Sequence, residues 1–428
     1  MALIPDTSSA PVAATSVSSA TSENHRAAAG VLMALFFAIG FLTCLNDIII
    51  PHFKAIFDLD YTRAMLIQFS FFTAYFVVSP PAGFAIRRFG YKRGILLGLL
   101  VAATGCFGFY PAASFRSYPM FLAALFVLAS GFTLLQVAAN PYVAILGKPE
   151  TASSRLTLTQ AFNSLGTTLA PLFGSALILR PSTNGAPVDP AEASQSVTGP
   201  YLALGATLVL MSVALTLFRL PESKAEGNKG SGGLLSHAPL VFGCVAIFVY
   251  VGAEVSIGSI LVSFLKEPSA GAMSAETAAK CISFYWGGAM IGRFAGSAIL
   301  RTWSPPRVLG VFAAAALTLV LATVLLRGNP AVVTILSVGL FNSIMFPTIF
   351  TLAIDGLGDR TGEGSGALCM AIVGGALVPV LEGAVADRAG LHLAFLVPAV
   401  CYAYIAWYAL VGSKARFASA AATEIVKG

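Results

Sequence analysis

The sequence predicts an all-α membrane protein of twelve transmembrane helices arranged in two pseudo-symmetric six-helix halves. Hydrophobic residues make up 57% of the 428 residues and charged residues only 10%, whereas a soluble domain has roughly 25% charged residues. Apolar runs of about 20 residues, the length that crosses a bilayer as a helix, recur along the chain. The strands of a β-barrel would instead alternate over segments of about 10 residues, so we expect a helical bundle.

The apolar runs define twelve candidate spans and three polar segments. The spans cover approximately residues 28–52, 62–86, 92–112, 118–147, 155–180, 200–219, 237–265, 278–300, 307–327, 331–355, 364–386 and 391–412. Residues 220–236 are polar and rich in Gly and Ser, and we interpret them as a flexible cytoplasmic linker between the halves 27–219 and 237–412. Residues 1–26 lack the basic leader of a signal peptide, so we expect them to form a disordered cytoplasmic tail, and residues 413–428 a second tail.

The Lys and Arg residues predict the orientation of the bundle. Loops on the side of the two termini carry about twice as many of them as the opposite loops, and such an excess marks the cytoplasmic side. We therefore expect an integral protein of the plasma or inner membrane with both termini in the cytoplasm. The net charge of +6 then reflects topology. No nucleic-acid partner is expected, because the basic residues are dispersed over short loops.

The six cysteines lie singly inside apolar runs, without close Cys or His neighbours. We interpret them as small core residues, and we expect no disulfide framework, no metal site and no cofactor. The chain is expected to work as a monomer surrounded by membrane lipid.

A weak internal repeat supports the division into halves. A shift of 206 residues places Gln136 on Asn342, and each is followed five residues later by a proline. A shift of 208 residues places Gly166 on Gly374, and a shift of 213 sets the loop GFAIRRFGYKRG against GSAILRTWSPPRV. Three matches in the same order at nearly the same offset indicate a parallel repeat of two six-helix halves.

Two acids stand at equivalent positions of this repeat. Asp47 lies beside Asn46 at the far end of the first apolar run, and Glu254 follows 207 residues later within span 7. A charged side chain in lipid costs about 3 kcal/mol on insertion scales, so such acids usually face a polar interior or an ion path. Asp47 could alternatively lie just outside the membrane. The repeat-related partner makes us favour a functional or gating role for at least one of the two, and Asp47 and Glu254 are the candidate residues for proton or cation coupling.

Longer stretches of the chain resemble a known family. They are CLNDIIIPHFK (44–54), LLQVAANPYVAILG (134–147), SRLTLTQAFNSLGTT (154–168), VYVGAEVSIGS (249–259), LFNSIMFPTIFTLAI (340–354) and TGEGSGALCMAIVGGALVPVLEGAVAD (361–387). As a set they resemble the fucose, glucose and galactose cation symporters of the major facilitator superfamily, and most of all the glucose/galactose branch. The resemblance implies the major facilitator fold and import of a hexose by cation symport through alternating access, with the proton as the favoured cation.

The resemblance also implies roles for single residues. Asp47 matches the first-helix acid that members protonate during transport. Gln136 falls where the fucose-transporting member has a second essential acid, and because an amide cannot titrate, a relay of two acids copied from that member is in doubt. Gln160 and Asn163 match polar positions near the sugar cavity. Glu382 stands where we would expect the branch to have Gln.

Sugar hydroxyls both donate and accept hydrogen bonds, which suits amide side chains, and aromatic faces cover the apolar side of a sugar ring. The candidate sugar ligands are polar and aromatic residues within the apolar runs: Asn46, Gln136, Asn140, Gln160, Asn163, Asn342, Tyr285, Trp286 and Glu382. The alternative for the amides is interhelical contact, at about 0.6 kcal/mol per polar pair. Asn140 precedes a proline and could instead satisfy a carbonyl freed by the kink. Tyr285 and Trp286 could be packing or interfacial aromatics.

The candidate gating residues are arginines of two repeat-related inner loops: Arg87, Arg88, Arg93 and Arg301. We expect the inner-side arginines to contact acids or helix ends and so to hold one access state; topology alone is the alternative. Glu363, before span 11, is interpreted as a gate or loop charge. Arg293 lies within span 8 and could pair with an acid or extend its charge to the inner surface, and we favour the second.

Several functions remain open at the level of sequence. Sodium could replace the proton as the coupling ion, and fucose or an N-acetylhexosamine could replace glucose or galactose. Export of an amphipathic compound predicts an aromatic cavity with few amides, which fits this chain poorly. A sugar sensor without transport would use the same site. An enzyme is not expected, because none of the four histidines lies well inside a span beside a nucleophile or a metal-binding set.

Overall fold

The computed structural model describes residues 28–44, 61–177, 198–217 and 233–415. Every regular element in these ranges is a helix, which confirms the predicted all-α class. Residues 1–26, most of 220–236 and most of 413–428 lie outside the described residues, and so do Asn46 and Asp47. What the sequence predicts for them stays a prediction.

Within these ranges the chain forms twelve helices, which we number α1 to α12 in chain order. The tenth and eleventh are interrupted, and their two parts are labelled a and b. The helices are α1 (Ala28–Cys44), α2 (Tyr61–Phe89), α3 (Tyr91–Ser114), α4 (Tyr118–Ile145), α5 (Ala152–Leu177), α6 (Thr198–Leu217), α7 (Ala238–Lys266), α8 (Ala275–Ile299), α9 (Pro305–Leu325), α10a (Asn329–Asn342), α10b (Met345–Ile354), α11a (Thr361–Met370), α11b (Gly374–Ala389) and α12 (Leu391–Ala394 and Leu396–Leu410).

Each predicted span coincides with one of these helices. Nine stretches of the described chain are long and apolar enough to cross a membrane. The other three are α1, which is described over Ala28–Cys44, and α5 and α8, whose apolar runs are interrupted by polar residues. The prediction of a twelve-helix bundle is therefore confirmed. α5 and α8 pack against each other across the two halves, as described below.

Glycines allow α3 and α4 to approach closely. Gly105 of α3 lies against the backbone of Leu128, and Gly131 of α4 lies against the backbone of Ala102. In lipid, helix association depends on van der Waals packing, and small residues at the crossing let two backbones come together. A side chain at either glycine would push these helices apart.

The two halves of the bundle, α1 to α6 and α7 to α12, meet along two pairs of helices. α2 packs against α11a, and α5 packs against α8. In the predicted repeat α2 corresponds to α8 and α5 corresponds to α11, so each pair is the counterpart of the other. The contacts between the halves thus follow the same pseudo-symmetry that the sequence offsets indicate.

Two helices of the second half are broken near their middle. α10 is interrupted between Asn342 and Met345, and α11 is interrupted by a 3₁₀ turn over Ala371–Val373. Non-helical backbone at membrane depth is tolerated where it is buried in protein or lines a cavity. The breaks therefore point to the region in which a functional site should be sought.

The α3–α4 crossing generates a prediction about stability. In Gly105→Ala the new Cβ would lie 2.6 Å from Leu128 Cα, and overpacking of this kind costs typically about 1–3 kcal/mol. We expect the melting temperature of the purified protein in detergent to fall by several degrees. Gly287→Ala is the matched control, because nothing lies within 4 Å of a Cβ at that helical position. Equal melting temperatures of the two variants would contradict the packing described here.

Candidate functional site

The break in α10 leaves a backbone carbonyl that needs a donor from elsewhere. Pro347 has no N–H, so the carbonyl of Ser343, four residues earlier, cannot form its helical hydrogen bond. Arg293 Nε of α8 donates to this carbonyl at 3.2 Å. The neighbouring carbonyl of Asn342 accepts from the Tyr250 hydroxyl of α7 at 3.2 Å. The break is thus stabilised by side chains of two other helices.

The repeat-related position in α4 is satisfied in the same way. Pro141 leaves the carbonyl of Val137 without a helical donor, and the Ser365 hydroxyl of α11a donates to it at 2.8 Å. The alternative role considered for Asn140, satisfying this carbonyl, is therefore wrong, because a serine of the other half donates the hydrogen bond to it. Asn140 instead accepts from Gln160 Nε2 at 3.4 Å.

Asn342 ends α10a inside a cage of tyrosines. Its Nδ2 donates to the Tyr285 hydroxyl at 2.8 Å, and its Oδ1 accepts from the Tyr402 hydroxyl at 2.7 Å. Asn342, Tyr285 and Tyr402 are all completely buried. The amide therefore holds α8, α10 and α12 together by hydrogen bonds that would be costly to leave unmade.

Glu254 and Arg293 form a charged pair beside this cage. Tyr250 donates to Glu254 Oε1 at 2.8 Å, and Arg293 Nη2 lies 3.9 Å from the same oxygen. Arg293 Nη1 also donates to the Ser164 hydroxyl of α5, so the pair reaches the first half of the bundle. The expectation that Arg293 extends to the inner surface is wrong. An acid on α7 and acceptors on α5 and α10 hold its charge inside.

The predicted amides of the first half face the same region. Gln136 Nε2 donates to the Tyr75 hydroxyl of α2 at 2.7 Å. Asn163 lies one residue from Ser164, the partner of Arg293, and its Nδ2 donates to the carbonyl of Phe36 in α1 at 3.0 Å. Asn163 therefore makes the interhelical contact that was its alternative role, and none of the described residues donates a hydrogen bond to its amide oxygen.

Exposure divides the candidate residues into two layers. Gln136, Asn163, Glu254 and Arg293 keep partial exposure, whereas Asn140 and Asn342 are completely buried and Gln160 nearly so. Polar groups in a membrane helix avoid lipid, so we infer that the exposed parts of the first four face the space between the halves. We call these four residues the polar edge. Its amides, acid and guanidinium can donate to and accept from a polyhydroxylated ligand.

The two aromatic candidates differ in their surroundings. Tyr285 is completely buried, and its ring packs edge-on against Trp286 at 5.2 Å between ring centroids. This favours the packing role for Tyr285, because a buried ring cannot stack on a ligand in this conformation. Trp286 is 40% exposed and is the aromatic candidate that a ligand could reach.

Glu382 lies on α11b and is not part of the polar edge. It is completely buried, and among the described residues neither carboxylate oxygen has a hydrogen-bond partner. A ligand can reach Glu382 only after the helices around it have moved. The structure therefore gives no contact that supports its predicted role as a sugar ligand in this conformation.

The halves are closed together at the end of the bundle that carries Arg87, which we call the Arg87 end. Arg87 Nη1 of α2 lies 2.5 Å from Glu363 Oε1 of α11a, and Arg360 Nε lies 3.1 Å from Glu363 Oε2. Ser153 of α5 and Thr351 of α10b join their hydroxyls at 2.6 Å. The expected contact of an inner-loop arginine with an acid is thus found for Arg87.

The other candidate gating arginines make no such contact. Arg88, Arg93 and Arg301 are exposed, and none of the ion pairs among the described residues includes them. Their predicted gating role stays a prediction.

Sequence reasoning missed the hydroxyl groups that complete the site. Tyr75, Tyr250, Tyr402, Ser164 and Ser365 each bond a candidate residue or a freed carbonyl. Of these, Tyr250 could have been found, because it stands four residues before Glu254 and so shares its helical face. The other contacts join helices that are distant in sequence.

Comparison with known proteins gives a family and several relatives. The model of the Major Facilitator Superfamily matches residues 31–372. The chain is 54% identical over 396 residues to a protein of Brucella abortus named glucose/galactose transporter, covering 92% of this chain and 95% of that one. It is 34% identical over 416 residues to the L-fucose-proton symporter of Escherichia coli, covering 92% and 93%. A crystal structure of the transporter FucP in the outward conformation matches with a TM-score of 0.83 and 32% identity, covering 92% of this chain and 100% of that one.

The tyrosine cage generates a prediction with a matched control. Tyr402→Phe leaves Asn342 Oδ1 buried without its donor, at a cost of about 1–3 kcal/mol, so we expect a lower melting temperature in detergent. Tyr408→Phe removes an equally buried hydroxyl of α12, which donates to a carbonyl in the first turn of α7 at 3.3 Å. We expect this variant to melt close to the wild type. A cage without importance for stability would give both variants the same melting temperature.

The Arg87 end generates a prediction about conformation. Glu363→Gln removes the charge that joins α2 to α11a, so we expect this end of the bundle to open more often. The reporter is Ser153→Cys in a background without the native cysteines, because Ser153 is buried at the closed interface. We expect a water-soluble maleimide to label it faster in the variant.

Glu276→Gln is the control for this experiment. Glu276 pairs with Lys280 at 2.7 Å within one exposed helical turn, and losing it should leave the rate of labelling unchanged. If Glu363→Gln also left the rate unchanged, the ion pair would not be holding this end closed.

Proposed function

Because the chain belongs to the major facilitator superfamily, we propose that it imports a hexose of the glucose or galactose type together with a proton by alternating access. It is an integral membrane protein. The observation that carries the proposal is the polar edge between the two halves, in a chain that is 54% identical to a protein named glucose/galactose transporter. A site of amides and one charged pair suits an uncharged ligand with many hydroxyls.

The polar edge is the proposed sugar-binding surface. Gln136 and Asn163 would donate to and accept from sugar hydroxyls, Glu254 would accept, and Arg293 would donate. Trp286 would cover the apolar face of the ring. The candidates of the buried layer would bind less directly, by fixing the helices that carry the polar edge: Asn140, Gln160, Asn342 and Tyr285.

We propose that the Arg87 end faces the cytoplasm and that the structure is therefore the outward-facing state. Two observations support this. The excess of Lys and Arg lies on that side of the bundle, and FucP in its outward conformation matches with a TM-score of 0.83. Both termini and the linker 220–236 would then be cytoplasmic, in a monomer of the inner membrane. Arg88, Arg93 and Arg301 would stabilise the closed state of the same end.

Proton coupling is proposed to pass through Asp47. Gln136 cannot titrate, and Glu254 already has a cation as its partner. Glu254 would have a different part in coupling. Through Arg293 it connects the sugar site to α5 of the other half, so that occupancy of the site and the position of the halves can influence each other.

The proposal is tested by uptake into proteoliposomes. The purified chain is supplied with a panel of hexoses and N-acetylhexosamines, driven in separate experiments by a proton gradient and by a sodium gradient. We expect glucose or galactose to accumulate with the proton gradient. Accumulation of fucose or an N-acetylhexosamine would change the substrate, and accumulation that required sodium would change the ion. Binding without uptake would indicate a sensor and overturn the proposal.

The role of Asp47 leads to a further prediction. In Asp47→Asn the side chain keeps its size but can no longer bind and release a proton, so we expect accumulation against a gradient to be abolished. Counterflow, the exchange of labelled for unlabelled sugar without net proton movement, should largely survive. If sugar binding itself were lost and wild-type transport did not depend on pH, the assignment of coupling to Asp47 would fail.

A further inference from the structure

Glu382 is a buried acid that the proposed sugar site does not use. Its exposed fraction is 0%, and among the described residues both carboxylate oxygens lack a hydrogen-bond partner. None of the ion pairs within the described ranges includes it. An ionised carboxylate without partners is very costly to bury, and such a group takes up a proton instead. Within the described ranges no cation compensates a negative charge on Glu382 in this conformation, which makes the acid a candidate for proton binding.

The packing of α11b against α7 explains why the carboxyl group has no partner. Gly374 lies on the backbone of Phe248, and Val378 lies against Gly252. One further turn along each helix brings Glu382 level with Ser256. The Ser256 hydroxyl faces the carboxyl group but does not meet hydrogen-bond geometry. A seam of closely packed small and apolar residues thus seals the acid from water.

The groups around Glu382 connect it to the site without compensating its charge. From α12, Cys401 and Tyr402 are close enough to interact with it electrostatically. α7 contributes Ser256, whereas the contact of α2 with α11b that involves Phe72 lies at Gly375, about two turns before Glu382. Tyr402 also bonds Asn342. A negative charge on Glu382 would therefore change the electrostatic potential at the tyrosine cage.

The break in α11 supplies a means of uncovering the acid. α11a packs on α2 of the first half, whereas α11b packs on α7 of the second half. Between them lies the 3₁₀ turn Ala371–Val373, and the first two residues of α11b are glycines. Hinges of this kind absorb the backbone changes of domain motion. When the halves rock and α2 leaves α11a, α11b can tilt away from α7.

We propose that Glu382 is a second proton-binding site of this carrier, apart from Asp47, which is occupied while α11b packs against α7 and empties when the two helices separate. The inference rests on the proposed function, since it states where a proton is held in a proton-coupled carrier. One proton passes from water to the carboxylate and later returns to water, so no further reactant is needed. Acidic pH then favours the conformation in which the Arg87 end is closed.

Infrared difference spectroscopy tests whether the group holds a proton. A protonated carboxyl group has a carbonyl stretching band that a carboxylate lacks, and the measurement needs no reagent to reach the buried acid. With the full chain in detergent we expect the parent protein to show such a band at acidic pH, decreasing as the pH is raised, and Glu382→Gln to lack it. Spectra of the parent protein and of Glu382→Gln that agree in this band at every pH would overturn the proposal.

The maleimide reporter at Ser153→Cys tests the link to conformation. We expect alkaline pH to increase its labelling several-fold more in the parent protein than in Glu382→Gln, which stays neutral at every pH. The parent protein and the variant are compared at the same pH, so the effect of pH on the reactivity of the thiol cancels. Glu276→Gln, which changes an exposed acid of α8, should follow the parent protein.

A second variant keeps the test valid if the glutamine variant is poorly folded. Glu382→Met is neutral, similar in size and introduces no polar group of its own, and it should also lose the pH dependence of labelling. If both variants followed the parent protein, this inference would fail. The reporter needs no sugar, so that failure is distinct from failure of the proposed function, which wild-type uptake measures.

Discussion

The carbonyl groups of Val137 and Ser343 impose the constraint on which the rest of the structure depends. Each lies four residues before a proline in the middle of a membrane helix, so neither can form its helical hydrogen bond. Lipid supplies no hydrogen bonds, so a backbone polar group that is buried at that depth must find a partner within the protein. The partners are Ser365 and Arg293, from helices distant in sequence. Two prolines thus decide which helices must be neighbours at the centre of the bundle.

This constraint also links the site to the state of the carrier. Ser365 belongs to the second half and Val137 to the first, so their hydrogen bond forms when the Arg87 end is closed. Arg293 contacts α10 and α7 in its own half and α5 in the other. Ser365 and Arg293, which donate to the carbonyls freed by the prolines, therefore also make contacts that depend on the relative position of the two halves. A ligand that engages Arg293 would act directly on this junction.

Much of the fold could be predicted from the sequence, because apolar runs of membrane length and the repeat offsets are local or periodic signals. The offset that pairs Gln136 with Asn342 located the two broken regions correctly. The partners at those regions could not be predicted. Nothing in the run around Arg293 indicates that α7 supplies an acid beside it, so extension toward the surface was the simpler expectation. Tyr402 and Ser365 likewise acquire their roles through helix packing that a single sequence does not record.

The ion pairs of the bundle show how it can alternate between its access states without leaving a buried charge unpaired. Glu363 is bound by Arg87 across the halves and by Arg360 within its own segment. When α2 separates from α11a, Arg360 remains, so the acid keeps a cation. Arg293 likewise gives up Ser164 on separation but retains the Ser343 carbonyl and Glu254. Removing one partner of a buried ion pair is strongly destabilising when the other is left alone. Glu363 and Arg293 thus each keep a second contact within their own half, and Arg87, which loses its partner, has a side chain that is already 47% exposed. Separation therefore leaves no buried charge alone, and the closed and open arrangements can remain close in free energy.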